Sequence, residues 1–286
     1  MKLDTARVLL TGANGGIGQA TAQALVQAGA SVLLVGRSPT RLTAQCQSLQ
    51  RQASPAQVRW HDAELDDFAS IANLGRAAVD WNCNVVVHCA GMASFGRLES
   101  VSPEDMHHLL SVNLLAPMVL TRALLPHLRG LPRAQVMFVG SVVGALGLPG
   151  YSVYGASKAG LRGFAQALRR ELADSPVQVQ YLGPRSTRTG FNSGAARAYA
   201  DATKTASDTP EVVAQALLEM LRNGTAERFM GFPEKLAVRI NGLASTLLDG
   251  VFAPHRKYLQ ATSAAAPVMP TASSASAAAS THTTVP

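Results

Sequence analysis

The stretch "VLLTGANGGIG" at residues 8–18 joins an apolar run directly to a glycine-rich turn. Gly12, Gly16 and Gly18 permit a tight turn and leave the backbone open to a pyrophosphate, which would rest on the N-terminus of the following helix. A single glycine-rich turn is a weak signal, and a tight turn without a ligand is the alternative. The strand pattern before it and the helix pattern after it favour a phosphate-binding turn.

The order of that stretch, strand then helix, is repeated along most of the chain. Apolar runs predict strands at 7–11, 31–36, 57–61, 84–89, 135–141 and 177–182, and more weakly at 227–231. Amphipathic periods predict helices at 16–28, 39–52, 65–80, 103–128, 152–173 and 210–222. Strands rich in Val and Leu with little polar alternation are buried on both faces. The pattern therefore predicts an α/β fold, a doubly wound parallel sheet of about seven strands with helices on both faces.

The bulk composition limits the class of protein. Hydrophobic residues make up 47% of the 286 residues and charged residues 15%, which is enough for one sizeable core. No apolar run reaches about eighteen residues, so a transmembrane helix is not expected, and the N-terminus lacks a signal-peptide pattern. Cys46, Cys83 and Cys89 are odd in number and lack metal-ligand spacing, which is typical of reduced thiols. We expect a cytoplasmic protein.

The net charge of +7 lies entirely before residue 262. Such a surplus could attract nucleic acid or anionic lipid. The basic residues are scattered and do not form a patch interleaved with aromatic residues, so no nucleic-acid partner is expected. A phosphorylated cofactor or an acidic small molecule is the simpler partner.

The second predicted strand ends in "VGRS", residues 35–38. A nicotinamide cofactor without a 2′-phosphate usually meets an acidic residue at this place, whereas Gly36 and Arg37 stand here. A guanidinium suits a phosphate dianion because it is planar, permanently charged and bidentate. The residues therefore favour NADP(H) over NAD(H). The alternative is that Arg37 is an ordinary surface cation beside Ser38, which could cap the next helix.

A serine, a tyrosine and a lysine are predicted to meet at one rim of the sheet. The fifth strand ends at Ser141, and Tyr154 and Lys158 begin the following long helix. At positions i and i+4, the phenol and the ammonium point the same way. Strand carboxyl ends are where an open α/β sheet binds ligands. Each residue alone has an ordinary structural explanation, but together with the glycine turn they indicate a reaction site.

Five motifs, in this order, resemble the short-chain dehydrogenase/reductase family in its compact single-domain form. They are "TGANGGIG" at 11–18, "HCAG" at 88–91, Asn113 in "SVNLLAP", Ser141 in "GSVVG" and "YGASK" at 154–158. The resemblance covers roughly residues 5–231. It implies a Rossmann-type fold, NAD(P) binding, hydride transfer to a carbonyl carbon, and a homo-oligomer, either a dimer or a tetramer.

The resemblance also implies the chemical roles of four residues. Tyr154 would protonate the carbonyl oxygen during reduction. Lys158 would bond the nicotinamide ribose and lower the pKa of that phenol below its usual value of about 10. Ser141 would hydrogen-bond the substrate oxygen, and Asn113 would hold a water that links Lys158 to solvent.

The remaining contacts implied by the resemblance belong to the cofactor. The full set is Gly12, Asn14, Gly15, Gly16, Ile17, Gly18, Arg37, Asp62, Ala90, Gly91, Tyr154, Lys158, Pro184, Thr187 and Thr189. Asp62 would bond the adenine amino group, unless it is only a helix cap. The chain departs from the family at Arg185, where glycine usually follows the proline, and at His88 and Cys89, where two asparagines are usual. No metal site is expected at His88 and Cys89, because no partner ligands lie at useful spacing.

Three regions follow from these patterns. Residues 1–231 form an NADP-binding catalytic domain, within which 183–208 reads as a loop or mobile lid. Residues 232–261 form an amphipathic extension, and residues 262–286, mostly Ala, Ser, Thr and Pro, are expected to be disordered. The extension carries an apolar stripe of Leu236, Ile240, Leu243, Leu247 and Val251. A pocket cover or oligomer contact, a peripheral membrane contact through 234–258, and a loosely packed extension remain open for it.

The sequence thus predicts an NADPH-dependent oxidoreductase that reduces a ketone or an aldehyde. The segment "VVGALGLPGYSV" at 142–153 is apolar and uncharged, which favours a lipophilic or acyl-chain carbonyl compound. Two alternatives remain open. One is an NAD-linked alcohol or hydroxysteroid dehydrogenase acting oxidatively, and the other is a non-catalytic cofactor-binding regulatory protein.

Overall fold

Strands and helices alternate along the chain in the computed structural model, which describes residues 1–52 and 57–264, with side chains to residue 261. These residues form seven strands and eleven α-helices. The tail predicted to be disordered, 262–286, lies outside the described residues except for the backbone of 262–264.

The strands form one sheet. In chain order, β1 to β7 are Arg7–Thr11, Ser31–Gly36, Val58–Asp62, Val85–His88, Ala134–Val139, Val177–Gly183 and Glu227–Phe229. They pair in parallel in the order β3-β2-β1-β4-β5-β6-β7. The order reverses between β1 and β4, and an open α/β sheet binds ligands in the crevice outside such a switch point. The predicted doubly wound parallel sheet is confirmed.

The helices cover both faces of the sheet. In chain order, α1 to α11 are Gly16–Gln27, Pro39–Gln50, Phe68–Asp80, Pro103–Leu110, Ala116–Arg129, Val143–Leu146, Ser152–Glu171, Gly194–Ala202, Pro210–Asn223, Glu234–Ala244 and Ala253–Ala264. Side chains that accept a hydrogen bond from the first turn fix where α2, α3, α4, α8 and α9 begin. These caps are Ser38, Asp67, Ser102, Ser193 and Thr209.

Successive strand residues point into two apolar cores on opposite faces of the sheet. Val8 and Leu10 of β1 join the core that includes side chains of α1, α2 and α9, whereas Leu9 joins the core that includes α3, α5 and α7. Both faces of the strand are therefore buried, which is why its sequence reads as a continuous apolar run.

The helix predicted over 103–128 is interrupted in the structure. A π-helical turn, Ser111–Leu115, separates α4 from α5 and carries the buried Asn113. Such turns insert one extra residue into a helix and often mark functional sites. A single inserted residue barely changes the spacing of apolar residues in the sequence. The prediction therefore gave one continuous helix.

The loop predicted over 183–208 contains α8, so that prediction is wrong for residues 194–202. Ser193 caps this short helix, and Ala196 and Tyr199 are its buried residues. Nine residues are too few to show a sustained apolar period, which explains the error.

The apolar stripe predicted for the extension is not one continuous helix face. Its members were Leu236, Ile240, Leu243, Leu247 and Val251. α10 ends at Ala244, a 3-10 turn spans Ser245–Leu248, and the chain bends by 66° before α11. The residue of α10 that is buried against Val142 and Leu146 is Val238, which lies off the stripe. The stripe prediction is wrong because the helix breaks within it.

One helical run, Pro103–Arg129, is long and apolar enough to cross a membrane by length and composition alone. Leu109, Leu120 and Leu124 of this run are buried within the protein. The core helix of a sheet protein can pass the same test. The run was not anticipated by a search for uninterrupted apolar residues, because polar residues are scattered through it.

Candidate active site

A cleft of about 1200 Å³ opens at the carboxyl ends of the strands. Most of the predicted site residues line it, namely Gly12, Asn14, Gly15, Gly16, Ile17, Gly18, Arg37, Ala90, Gly91, Ser141, Tyr154, Lys158, Pro184, Thr187 and Thr189. Pockets for drug-sized ligands occupy about 300–1,000 Å³. The cleft therefore has room for a dinucleotide together with a small substrate.

The glycine turn between β1 and α1 forms one end of the cleft. Gly12 has φ +68°, and a Cβ there would lie 2.7 Å from Ala90 Cα. A Cβ on Gly16 would lie 2.4 Å from Thr189 Cγ2, and one on Gly18 would lie 2.1 Å from Gly12 O. α1 begins without a capping side chain, so the N–H groups of its first turn have no acceptor within the helix. The pyrophosphate of a dinucleotide fits such a helix end.

Two arginines line the cleft where β2 ends. Arg37 is exposed, and none of its described neighbours forms a hydrogen bond or ion pair with its guanidinium. Arg41 Nη2 donates to Asn14 O at 3.0 Å, and the Arg41 N–H donates to Ser38 Oγ. Sequence reasoning found Arg37 but missed Arg41, although its position four residues further on was an available signal. Two guanidinium groups at this corner suit a phosphate dianion.

Asp62 is a predicted contact that the structure does not bring into the cleft. It is the exposed last residue of β3, in register with Gly36. The lining begins only at the next residue and runs over Ala63, Glu64, Leu65 and Asp66. The cap of α3 is Asp67, so Asp62 does not have that role either.

Ser141, Tyr154 and Lys158 come together as predicted by the spacing. The Ser141 side chain is close enough to the Tyr154 hydroxyl to lower its pKa, and its Oγ accepts the Val143 N–H at 3.1 Å. Lys158 Nζ lies 5.8 Å from the centre of the Tyr154 ring and donates to Val139 O at 3.2 Å. All three side chains are buried at the edge of the cleft. The arrangement places a proton donor, a hydroxyl and an amine at one point.

The backbone of Ser141 is held by a tyrosine that sequence reasoning missed. Tyr181 Oη accepts the Ser141 N–H at 3.2 Å and donates to Ser141 O at 3.3 Å. A Cβ on Gly140 would lie 2.0 Å from the same oxygen, so glycine at 140 makes room for the phenol. Tyr181 sits inside an apolar strand, where a tyrosine usually signals only core packing.

Burial controls the pKa values of this site. It raises the pKa of Tyr154, although the nearby Ser141 side chain acts in the opposite direction. It also lowers the pKa of Lys158 to about 8 from its ordinary value of 10.5. The prediction that Lys158 makes the phenol more acidic is wrong for the protein alone. Desolvation disfavours both charged forms, and the interactions that act on the Tyr154 pKa come from Ser141, Tyr181 and Tyr151 rather than from Lys158.

Asn113 lies just behind the cleft and is fully buried. Its Nδ2 donates to Met92 O at 2.9 Å and to Ser157 Oγ at 3.2 Å, and its Oδ1 accepts the Met92 N–H at 2.7 Å. A Cβ on Gly91 would lie 3.3 Å from Asn113 Oδ1 and 3.5 Å from Lys158 Nζ. The amide therefore fixes the backbone beside Lys158, and one lone pair of Oδ1 is left for another partner.

His88 and Cys89 take structural positions at the end of β4. His88 Nε2 is 2.9 Å from Thr121 Oγ1, and its ring stacks on Phe138 at 4.9 Å. Burial lowers the pKa of His88 to about 3, so the ring is neutral. The N–H of Cys89 donates to Thr11 Oγ1, which ties β4 to β1.

The unusual Arg185 anchors the extension to the segment after β6. Its Nη2 lies 2.7 Å from Asp208 Oδ1, and its Nη1 lies 3.6 Å from Glu234 Oε1 of α10. Arg185 Nε and Glu234 Oε2 are buried without a hydrogen-bond partner. Thr189, close to Gly16, brings the same segment over the glycine turn. The Arg185 side chain therefore ties the segment after β6 to the extension.

The far side of the cleft is covered by α8 and α11. Tyr199 of α8 donates to Pro149 O at 3.1 Å, and its hydroxyl lies 2.6 Å from His255 Nδ1 of α11. The surrounding lining is mainly apolar, with Val142, Val143, Leu146, Leu148, Tyr151, Phe191, Ala237, Leu248, Val251 and Phe252. Sequence reasoning predicted the 142–153 part of this wall but missed Tyr199 and His255, whose meeting depends on long-range packing.

Comparisons with known proteins agree with this geometry. A family model described as short chain dehydrogenase matches residues 6–200. The chain is 31% identical over 255 residues to the ketoacyl reductase HetN of Nostoc sp., covering 86% of this chain and 87% of that protein. It is 30% identical over 197 residues to a 3-ketodihydrosphingosine reductase of Bos taurus, covering 67% of this chain but only 59% of that protein.

A solved structure gives the same picture. A short-chain dehydrogenase from Sphingobium yanoikuyae in complex with NADPH superposes with a TM-score of 0.74 at 28% identity. The match covers 94% of this chain and 98% of that one. The similarity therefore extends beyond the sheet into the C-terminal part of the chain.

Proposed function

The chain belongs to the short-chain dehydrogenase/reductase family of NAD(P)-dependent oxidoreductases, and we propose that it uses NADPH to reduce a lipophilic ketone or aldehyde to an alcohol. The observation that carries this proposal is the meeting of Ser141, Tyr154 and Lys158, all three buried at the edge of one cleft.

Each residue of this group has a role in the proposed reaction. Bound NADPH supplies the hydride. Tyr154 gives its proton to the carbonyl oxygen, and its raised pKa keeps the phenol in the donating form at neutral pH. Ser141 donates a hydrogen bond to the same oxygen as charge develops there. Lys158 contributes a charge below pH 8 or so, and Asn113 Oδ1 offers a lone pair to a water on the path from Lys158 to solvent.

The cofactor preference is supported by the basic corner at the end of β2. Gly36 stands where a carboxylate would be expected for a cofactor without a 2′-phosphate, and Arg37 and Arg41 line the cleft beside it. The turn at Gly12, Gly16 and Gly18 holds the pyrophosphate, and Thr189 approaches it from the other side. Ala90, Gly91, Pro184 and Thr187 complete the predicted contacts along the cleft. Asp62 is not part of this proposal.

The substrate class is supported by the wall of the cleft. Its apolar side chains extend from Leu146 and Leu148 to Phe252, and the ion cluster of Arg185 is engaged with its own partners. A ketone carrying an acyl or alkyl chain buries that chain against these apolar side chains. The names of the two relatives, a ketoacyl reductase and a 3-ketodihydrosphingosine reductase, are consistent with such a substrate.

The proposal assigns a place to each part of the chain. Residues 1–231 form the catalytic domain, and 232–261 form an extension that borders the substrate end of the cleft. We also propose a homo-oligomer that works in the cytoplasm.

The oxidative direction with NAD(H) is the second candidate. It would be favoured by faster turnover of an alcohol with NAD⁺ than of the matching ketone with NADPH.

The test is a pair of tyrosine variants of the full chain. Tyr154→Phe should lower kcat for ketone reduction by about 10²–10⁴-fold, the usual contribution of a proton donor, while the Kd for NADPH changes less than about twofold. Tyr151→Phe is the matched control, because its ring packs on Tyr154 in the same cleft. It should keep kcat within about threefold of the wild type, since its phenol has no proposed role in proton transfer.

Three results would contradict the proposal. Tyr154→Phe could retain turnover, which would remove the proton donor. Both variants could lose turnover alike, which would indicate a packing effect. The wild type could bind NADPH but reduce no member of a panel of long-chain ketones and aldehydes, which would favour the regulatory alternative.

A further inference from the structure

The extension carries an unpartnered apolar surface beside the mouth of the cleft. Of the thirteen large apolar side chains that are exposed among the described residues, five lie within 232–251. We call these five the apolar ridge: Phe232, Leu236, Leu243, Leu247 and Val251, which are 78%, 50%, 91%, 72% and 64% exposed. An exposed apolar patch of this kind usually marks an interaction site.

Basic side chains lie on the same outer surface. Lys235 and Arg239 alternate with Leu236 along the exposed side of α10, and Arg256 and Lys257 are exposed at the start of α11. Two carboxylates oppose these four cations within 232–261. One of the two, Glu234, is turned inward to Arg185. The outer surface of the extension is therefore both apolar and cationic.

The inner side of the extension holds it on the protein. Val238 is buried against Val142 and Leu146, and Asn241 Nδ2 donates to Ala145 O at 2.8 Å. Further along, His255 of α11 is bonded to Tyr199. By length and composition, 234–248 and 253–261 together could enter a membrane as a bent pair. These inner contacts favour a position on the bilayer surface instead.

We propose that the apolar ridge and its cations dock the protein on an anionic lipid bilayer. In this arrangement the ridge inserts among the acyl chains, and the cations meet the anionic headgroups. A second copy of the chain is the less favourable occupant. A two-fold contact through this surface would bring Lys235 and Arg239 of both copies together, and like charges would oppose the contact.

The apolar ridge adjoins the mouth of the cleft. Val251 belongs to both, because it is exposed on the ridge and also lines the cleft. Its neighbours Leu248 and Phe252, together with Pro233 and Ala237, continue the lining inward. A docked molecule would therefore present the mouth of the cleft to the bilayer. This consequence rests on the proposed function, whereas the docking itself does not.

The test is sedimentation of the full chain with vesicles in the absence of detergent. Wild-type protein should bind vesicles of phosphatidylcholine and phosphatidylglycerol at a 7:3 ratio, with at least about tenfold weaker binding to phosphatidylcholine alone. Raising the salt from about 0.1 M to 0.5 M should weaken the binding, since the headgroup attraction is screened. Binding that is equal for both vesicle types would overturn the anionic part of the proposal.

Variants separate the ridge from other exposed apolar residues. Leu243→Glu combined with Leu247→Glu should reduce vesicle binding at least about tenfold, because each carboxylate opposes both insertion and the anionic surface. Leu98→Glu combined with Val212→Glu is the matched control, since both residues are exposed but belong to other elements, the 3-10 turn Leu98–Ser100 and α9. It should bind vesicles as the wild type does. Circular dichroism and NADPH titration check that both double variants are folded.

The remaining outcomes are also decisive. Wild-type protein that stays in the supernatant at low salt would overturn the proposal. So would a ridge variant that binds vesicles like the wild type. If the ridge variant instead converts an oligomer to a monomer in light scattering, and no vesicles bind, the ridge is a subunit interface. None of these readouts depends on turnover, so failure of the docking is distinct from failure of the proposed reductase activity.

Discussion

Arg37 and Arg41 reach the same corner of the cleft and provide a test of cofactor preference at the level of single residues. Arg37→Ala should weaken NADPH binding about 10- to 150-fold, which corresponds to losing a charged hydrogen bond of about 1.5–3 kcal/mol. NADH binding should change less than about threefold, because NADH has no 2′-phosphate for the guanidinium to pair with. Fluorescence titration with both cofactors measures the two effects.

Arg41→Ala should have a smaller effect on the same ratio, since Arg41 already donates to Asn14 O. Arg59→Ala is the control, because Arg59 lies on β3 outside the lining of the cleft. Equal affinities of the wild type for NADH and NADPH would show that Arg37 and Arg41 do not recognise the 2′-phosphate.

Lys158 makes the cofactor affinity depend on pH. Its pKa is lowered to about 8 by burial, so the ammonium loses its proton as the pH rises through that value. The Kd for the anionic NADPH should therefore increase between pH 7 and pH 9.5, by roughly tenfold if the charge contributes about 1.4 kcal/mol. Isothermal titration calorimetry across this range measures the change.

The control for this prediction is Lys158→Met, which carries no charge at any pH. Its Kd for NADPH should be weak and nearly constant over the same range. A wild-type Kd that is also constant to pH 9.5 would mean that the ammonium does not contribute to cofactor binding, or that its pKa is not lowered.

For single residues, the sequence predicted which reactive side chains lie together better than it predicted how their pKa values shift. The i, i+4 spacing was sufficient to place Tyr154 and Lys158 together, because helix geometry is local. The sign of the Tyr154 pKa shift was not predictable in this way. It depends on how much of the chain covers the hydroxyl, and the covering residues come from distant segments. Tyr181 was missed for a related reason, since its hydrogen bonds to the backbone of Ser141 are set by the fold.

Among the elements, α10 depends on one ion cluster for its attachment. Replacing Arg185 with Met leaves Asp208 and Glu234, which are 12% and 18% exposed, without their shared cation. We expect the KM for the ketone to rise several-fold and trypsin to cut faster within 232–261, since the extension borders the substrate end of the cleft. The Kd for NADPH should change little. Steady-state kinetics and limited proteolysis measure these effects.

Arg162→Met is the matched control for this prediction. Arg162 forms an ion pair of similar exposure with Glu227 on β7. Its loss should reduce stability without changing the KM or the cleavage of the extension. If the two variants behave alike, the Arg185 cluster stabilises the protein generally and does not hold the extension in place.

Elements were predictable from the sequence when their pattern was long or continuous. β1 and α1 were found almost to the residue, because an apolar run and a long amphipathic period are local signals. α8 was missed because it is short, and the π turn at Ser111–Leu115 was missed because one inserted residue barely alters the period. Both lie close to the site, so the elements hardest to predict are among those that shape it.

At the scale of the whole molecule, local sequence patterns determine the sheet, whereas long-range contacts determine the position of the extension. The strands are buried on both faces, and each carries its own apolar signal. The extension is held by a few long-range contacts, such as Tyr199 with His255 and Arg185 with Glu234. Periodicity gives the amphipathic character of such a segment but not the side that faces the protein. The predicted stripe was therefore assigned to one helix although its members are divided by a bend.

The size and apolar wall of the cleft predict how the rate depends on substrate length. Each methylene that enters the cleft should gain about 0.8 kcal/mol of binding free energy from the burial of its apolar surface, which corresponds to roughly a fourfold gain in kcat/KM. A series of 2-ketones of increasing chain length should show this gain until the chain outgrows the wall, and then a plateau. Leu148→Ala should reduce the gain because Leu148 lines the cleft, whereas Leu98→Ala should leave it unchanged. A kcat/KM that does not vary with chain length would place the substrate chain outside the cleft and remove the physical basis for a lipophilic substrate.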